Sequence, residues 1–268
     1  MNRRYRHFKN EETKKRSVPF LPNFITTMSL FCGFYSISFS LKQNFVMAAV
    51  LILIAGFIDG IDGRVARATN STSAFGKEYD SLSDVIAFGV SPAIMAYLWQ
   101  VNQFGRLGFI ASFLFVACGA LRLARFNTDT VSDGSTFTGL PIPVAAAAVS
   151  GMVLLSDELS AGNLMIPPVL VLVGVYLLSY LMVSTVRYPS FKHISYIKAH
   201  PFQLLVAGLL VLGVVAYWPE VMIFTIAMLF IVGGPIWGTV VHFRERAREK
   251  KEAKSTEAEH LQQENPNG

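Results

Sequence analysis

From Gly56 to Pro92 the chain reads GFIDGIDGRVARATNSTSAFGKEYDSLSDVIAFGVSP. An apolar run leads into this stretch from Phe45, and another leads out of it to Trp99. Four carboxylates therefore stand where two hydrophobic segments end and begin. Asp59 and Asp62 are three residues apart; Asp80 and Asp84 are four apart. Both spacings put a pair of side chains on one face of an α-helix. The polar run Thr69-Asn70-Ser71-Thr72-Ser73 between them suits a turn followed by a helix N-cap. Two consecutive antiparallel helices would bring both acid pairs to one membrane boundary. Carboxylates so close in a low dielectric repel strongly, so protons or cations must compensate. All-oxygen ligands favour hard cations such as Mg²⁺ or Mn²⁺, and a pair of such ions would bind and polarise a diphosphate. Gly60, Gly63 and Ala66 lie on or near the acid face and Gly76 precedes the next span, which leaves a bulky ligand room to approach. Arg67, one turn beyond Gly63, is placed to meet phosphate charge. Ionisable residues inside membrane segments are functional by default.

The surrounding composition makes the membrane reading. Of 268 residues, 52% are hydrophobic and 15% charged, and the mean hydropathy is +0.44. Soluble domains carry about 25% charged residues. Crossing a bilayer takes about 20 apolar residues in a helix. Eight segments qualify: 24–41, 45–67, 80–99, 106–125, a short one at 139–155, 165–186, 201–217 and 221–242. The last two are joined by Trp218-Pro219-Glu220, as in a tight antiparallel hairpin. The expected fold is an all-α polytopic bundle of about eight transmembrane helices. It divides into a basic juxtamembrane segment 1–20, a transmembrane catalytic domain 21–243 and a charged tail 244–268.

Orientation follows from lysine and arginine. With both termini in the cytoplasm, 21 of the 23 Lys and Arg residues fall on the cytoplasmic side, and only Lys42 and Arg106 fall outside. The acid cluster then faces the cytoplasm. The net charge of +5 does not point to nucleic acid, because the basic residues border apolar runs. Segment 1–18 is basic and polar, with no cleavage-like site after a short apolar core. It suits either a helix on anionic headgroups or a solvated tail. Cys32 and Cys118 lie in apolar runs with no metal or disulfide spacing, and the five histidines form no metal-spaced pair.

The pattern Asp59-x2-Asp62-Gly63-x2-Ala66-Arg67-x8-Gly76-x3-Asp80-x3-Asp84 resembles, at all eight fixed positions, the signature of the CDP-alcohol phosphatidyltransferase family. That resemblance implies two divalent ions on the diphosphate of a CDP-lipid, held by Asp59, Asp62 and Asp80. Asp84 would ligate metal, deprotonate the acceptor hydroxyl, or do both. Gly63, Ala66, Arg67 and Gly76 would line the CDP pocket. Further stretches are similar to the serine-accepting branch: Glu78 to Pro92, Leu21-Pro22-Asn23, Ala120-Leu121-Arg122-Leu123-Ala124-Arg125-Phe126-Asn127, and Phe137-x-Gly139-Leu140-Pro141-Ile142-Pro143.

Arg122 and Arg125 share a helical face at the depth of the aspartates. They could capture either the serine carboxylate or a lipid phosphate, with Asn127 adding a hydrogen bond. The reaction so implied is CDP-diacylglycerol plus L-serine giving phosphatidylserine and CMP, in a homodimer of the cell (inner) membrane. Other acceptors remain open within the family: glycerol phosphate, inositol phosphate, or an archaeal lipid counterpart. A divalent-cation transporter is the rival of another class. It would need polar residues in the outer halves of several spans, and those halves are almost wholly apolar.

Overall fold

The computed structural model describes residues 20–68, 73–128, 136–189 and 217–236. Helix α1 (Phe20–Leu41) turns sharply into α2 (Phe45–Ala68). Gln43 takes the left-handed conformation at φ 59°, and the Asn44 side chain accepts the Met47 N–H at 3.1 Å, capping α2. The two helices pack along small residues. On α1 the buried stripe is Thr26, Ser29, Gly33, Ser36 and Ser40; on α2 it is Ala48, Ile52, Ala55 and Asp62. The α1 stripe steps by three and four and the α2 stripe by four, three and seven, which keeps each on one helical face. The Ser29 and Ser36 hydroxyls donate across the seam to the Ala55 and Ala48 carbonyls, at 3.1 and 2.9 Å. Small side chains let backbones approach and hydroxyls bridge them where no water is at hand.

Helix α3 (Ala74–Trp99) contains a π-helical segment at Val85–Val90. Ser73 caps its start by accepting the Gly76 N–H at 3.0 Å. This cap is why the helix begins six residues ahead of the expected start at 80. The Ser91 hydroxyl lies 2.6 Å from the Gly33 carbonyl of α1, where Gly33 is pressed against Ala87. After a 3₁₀ turn at Val101–Phe104 come α4 (Arg106–Thr128), strand β1 (Thr136–Thr138), α5 (Ile142–Ala161), α6 (Pro168–Val183), strand β2 (Arg187–Pro189) and α7 (Pro219–Ile236).

The fold class is the expected helical membrane bundle with one addition, a short antiparallel ribbon pairing Phe137 with Tyr188. It forms because the ends of α4, α5 and α6 meet there. Gly139 sits at φ 80°, a conformation that favours glycine, and donates to the Val186 carbonyl at 2.9 Å. Leu140 donates to Leu181 at 3.0 Å. Tyr188, fully buried, stacks on Phe230 of α7 at 5.5 Å and covers Gly234.

Six helices are long and apolar enough to cross a bilayer, and α6 is a shorter apolar helix of 16 residues. Seven of the eight expected spans thus have a helix among the described residues. The segment expected at 201–217 lies outside them, apart from Tyr217. Large apolar side chains such as Phe34, Phe57, Phe109 and Phe113 are exposed around the bundle, as lipid-facing residues are.

Candidate functional site

Three of the four acids come together where α2 ends and α3 begins. Carboxylate oxygens of Asp59 on α2 and of Asp80 and Asp84 on α3 all lie within 4.8 Å of one another. Asp62 stands at the edge of this trio and is 5% exposed. One of its oxygens, Oδ2, accepts a hydrogen bond from the Thr26 hydroxyl of α1. The other, Oδ1, is buried with no hydrogen-bond partner among the described residues. A buried carboxylate oxygen left unpartnered is costly, and a cation relieves that cost. Oxygen-only donors at this spacing fit a hard divalent ion. Asp59, Asp80 and Asp84, with Asp62 at the edge, are the groups that could hold it.

Three local features aim these side chains. The α1–α2 stripe of small residues continues from Ala55 to Asp62 and delivers Asp62 to Thr26. The π-helical segment begins directly after Asp84 and buries Ala87, Phe88 and Gly89. Wider turns of this kind recur at functional sites, because they re-aim one side of a helix without breaking it. At the start of α3, Tyr79 lies 2.9 Å from the Thr27 hydroxyl, a second tie to α1.

The glycines divide into two kinds. A Cβ on Gly60 would meet nothing within 4 Å, so the backbone beside Asp59 is open to a ligand. Gly63 is half-buried immediately after Asp62. A Cβ on Gly76 would meet Ser73 Oγ at 3.1 Å and Asn23 Oδ1 at 3.3 Å, so this glycine lets α1 approach the cap of α3. Ala66 and Arg67 fall in the last turn of α2, and their side chains lie outside the described part.

The two arginines that share a helical face have separate fates. Arg125 donates to the carbonyls of Thr138, Val183 and Ser184 at 3.1, 3.2 and 3.4 Å. It clamps the ribbon and the end of α6, and Gly139 leaves it the space to pass. Arg122 is 8% exposed, interacts electrostatically with Asp84, and has an Nε with no partner among the described residues. The Asn127 amide donates to Ser81 Oγ at 2.9 Å, tying α4 to α3 one residue past Asp80. Of this trio, then, the structure leaves Arg122 beside the acids and engages Arg125 and Asn127 in holding helices. Sequence reasoning missed Thr26. Its signal was the run of small or hydroxyl residues at 26, 29, 33, 36 and 40.

A family model described as CDP-alcohol phosphatidyltransferase matches residues 19–178. The chain is 48% identical over 178 residues to a CDP-diacylglycerol–serine O-phosphatidyltransferase of Helicobacter pylori, covering 65% of this chain and 74% of that protein. It is 42% identical over 173 residues to an archaetidylserine synthase of Methanothermobacter thermautotrophicus, covering 63% and 69%. It is 35% identical over 173 residues to a CDP-diacylglycerol–serine O-phosphatidyltransferase of Bacillus subtilis, covering 65% and 92%.

Proposed function

The chain belongs to the CDP-alcohol phosphatidyltransferase family, and from that premise we propose that it transfers the phosphatidyl group of CDP-diacylglycerol to L-serine, releasing CMP. The observation that carries this reading is the meeting of Asp59, Asp80 and Asp84 within 4.8 Å at the end of two apolar helices. Serine is the better supported half of the substrate pair. The three relatives named above differ in the lipid their names specify and agree on serine.

Asp59, Asp62, Asp80 and Asp84 are the residues that would hold divalent metal, Mg²⁺ or Mn²⁺, one ion or two. When bound, such ions supply positive charge to the diphosphate and to the CMP that departs. Asp84 accepts the proton of the serine hydroxyl as that oxygen bonds to the lipid-side phosphorus and the bond to CMP breaks. Gly60 leaves the α2 backbone bare beside Asp59, where a nucleotide could approach, and Gly63 joins it in the proposed CDP pocket. Ala66, Arg67 and Gly76 complete the proposed CDP pocket. Thr26 fixes one oxygen of Asp62, which limits the carboxylate to one orientation. Asn127 and Arg125 hold α3, α4 and α6 in register around the acids.

The lipid tails stay in the bilayer while nucleotide and serine enter from water, so the site belongs at a membrane boundary. The lysine and arginine pattern supports a boundary on the cytoplasmic face, and the cell (inner) membrane is the proposed location. A homodimer is the expected assembly by likeness to the family. Arg125 is engaged with three backbone carbonyls, so it adds little to the charge available for a phosphorylated acceptor.

The test is CMP release by purified protein with CDP-diacylglycerol, with and without L-serine, and with and without Mn²⁺ or Mg²⁺. Release that needs both serine and metal supports the reading. Release at the same rate without serine overturns it in favour of hydrolysis or another acceptor.

A further inference from the structure

The geometry points to Arg122 as the residue that recognises the acceptor's carboxylate and so selects an amino-acid alcohol over an alcohol lacking that group; this inference rests on the transfer reaction proposed above. A guanidinium carries five N–H donors and cannot shed its charge. Burying it is costly unless those donors are used. Arg122 is 8% exposed, and its Nε hydrogen has no partner among the described residues. Its neighbour at the same depth differs: Arg125 spends its donors on three backbone carbonyls. The other cation described near the start of α3, Lys77, has its ammonium 3.5 Å from the Asn127 carbonyl. Among the described residues, Arg122 is therefore the buried cation with donor capacity left over.

Two anions could use that capacity, a lipid phosphate or the acceptor carboxylate. Position favours the second. The diphosphate belongs over the trio of Asp59, Asp80 and Asp84, where cations would neutralise it. The acceptor hydroxyl must reach Asp84 to surrender its proton. In serine the hydroxyl and carboxylate are separated by two carbons. The group that holds the carboxylate must then lie within one small molecule's length of Asp84. Arg122 interacts with Asp84 across the α3–α4 interface. A guanidinium also pairs with a carboxylate through two parallel hydrogen bonds, which orients the acceptor as well as binding it.

The experiment compares L-serine with serinol, which replaces the carboxylate by a hydroxymethyl group, in wild-type protein and in Arg122→Gln and Arg122→Lys. CMP release is measured at saturating CDP-diacylglycerol and Mn²⁺. In wild-type protein serinol is expected to have kcat/KM roughly 100-fold or more below serine, since an unpaired buried donor rejects an acceptor lacking the matching group. In Arg122→Gln the KM for serine rises roughly tenfold or more, the KM for serinol moves by less than about twofold, and the preference for serine collapses. Arg122→Lys keeps the charge and loses the fork, so it recovers part of the preference. If Arg122→Gln does not fold, the serinol comparison in wild-type protein and the Lys variant still decide. Equal kcat/KM for serine and serinol in wild-type protein overturns the inference. So does a loss of kcat with both acceptors at unchanged preference, which would make Arg122 a partner of Asp84 only. The parent reading fails differently, through CMP release that does not depend on serine at all.

Discussion

Replacing Thr26 with valine removes one hydroxyl and keeps the shape of the side chain. Thr26 is 3% exposed, and its Oγ1 donates to Asp62 Oδ2 while lying 3.1 Å from the Pro22 carbonyl. In Thr26→Val the carboxylate loses that donor, and its other oxygen already has no partner among the described residues. A hydrogen bond to a charged group contributes about 1.5–3 kcal/mol, equivalent to roughly ten- to 150-fold in an equilibrium constant. Partners that orient metal-binding carboxylates typically contribute about 10–100-fold to metal affinity, so the two ranges agree. The expected result is a Kd for Mn²⁺ raised by about ten- to 100-fold, with a matching rise in the Mn²⁺ concentration that half-saturates CMP release. Thr26→Ser restores the donor and should return both values to within about threefold of wild type. The assay is titration of purified protein with Mn²⁺, following free Mn²⁺ by electron paramagnetic resonance, so binding is read apart from turnover. A competing effect has the opposite sign: an oxygen released from a donor is a stronger ligand. Unchanged or tighter Mn²⁺ binding in Thr26→Val would show that orientation of Asp62 is not what Thr26 provides.

Four further outcomes follow from the same geometry. Asp84→Asn should lower serine-dependent CMP release by about 10²–10⁴-fold, the range for loss of a general base, with the protein still folded by gel filtration; residual activity above a tenth of wild type would remove Asp84 from that role. Gly33→Ala puts a methyl group 2.5 Å from Ala87 Cα, so α1 and α3 must separate; a loss of about 1–3 kcal/mol is expected, read as a lower Tm in detergent, and an unchanged Tm would refute the tight crossing. Arg125→Met removes donors to three carbonyls at the ribbon and the end of α6; hydrogen exchange at Thr138 and Ser184 should quicken by roughly tenfold or more, and unaltered exchange there would deny the clamp. Chelation with EDTA should abolish CMP release and added Mn²⁺ or Mg²⁺ restore it, whereas activity that survives thorough chelation would separate the aspartates from metal.

Much of this protein is local information, and local information is legible in a sequence. The apolar runs give the helices because length and hydropathy alone decide whether a segment can cross a bilayer. The spacings 59/62 and 80/84 put each acid pair on a helical face, and the short linker makes the two helices neighbours. From those facts the meeting of Asp59 with Asp80 and Asp84 follows, and the structure has it. What depended on distant parts of the chain was not legible. Arg122 and Arg125 look equivalent at three residues apart, yet one is buried with an Nε that has no partner among the described residues and the other reaches carbonyls 58 and 59 residues away at the end of α6. Thr26 meets Asp62 across 36 residues, through a seam that only the packing of α1 on α2 creates. The π-helical turns after Asp84 lie where α3 packs against α1 and α4, and no sequence pattern announced them. Periodicity fixes which face a side chain occupies; which neighbour it finds there is set by long-range packing, and that only the tertiary structure decided.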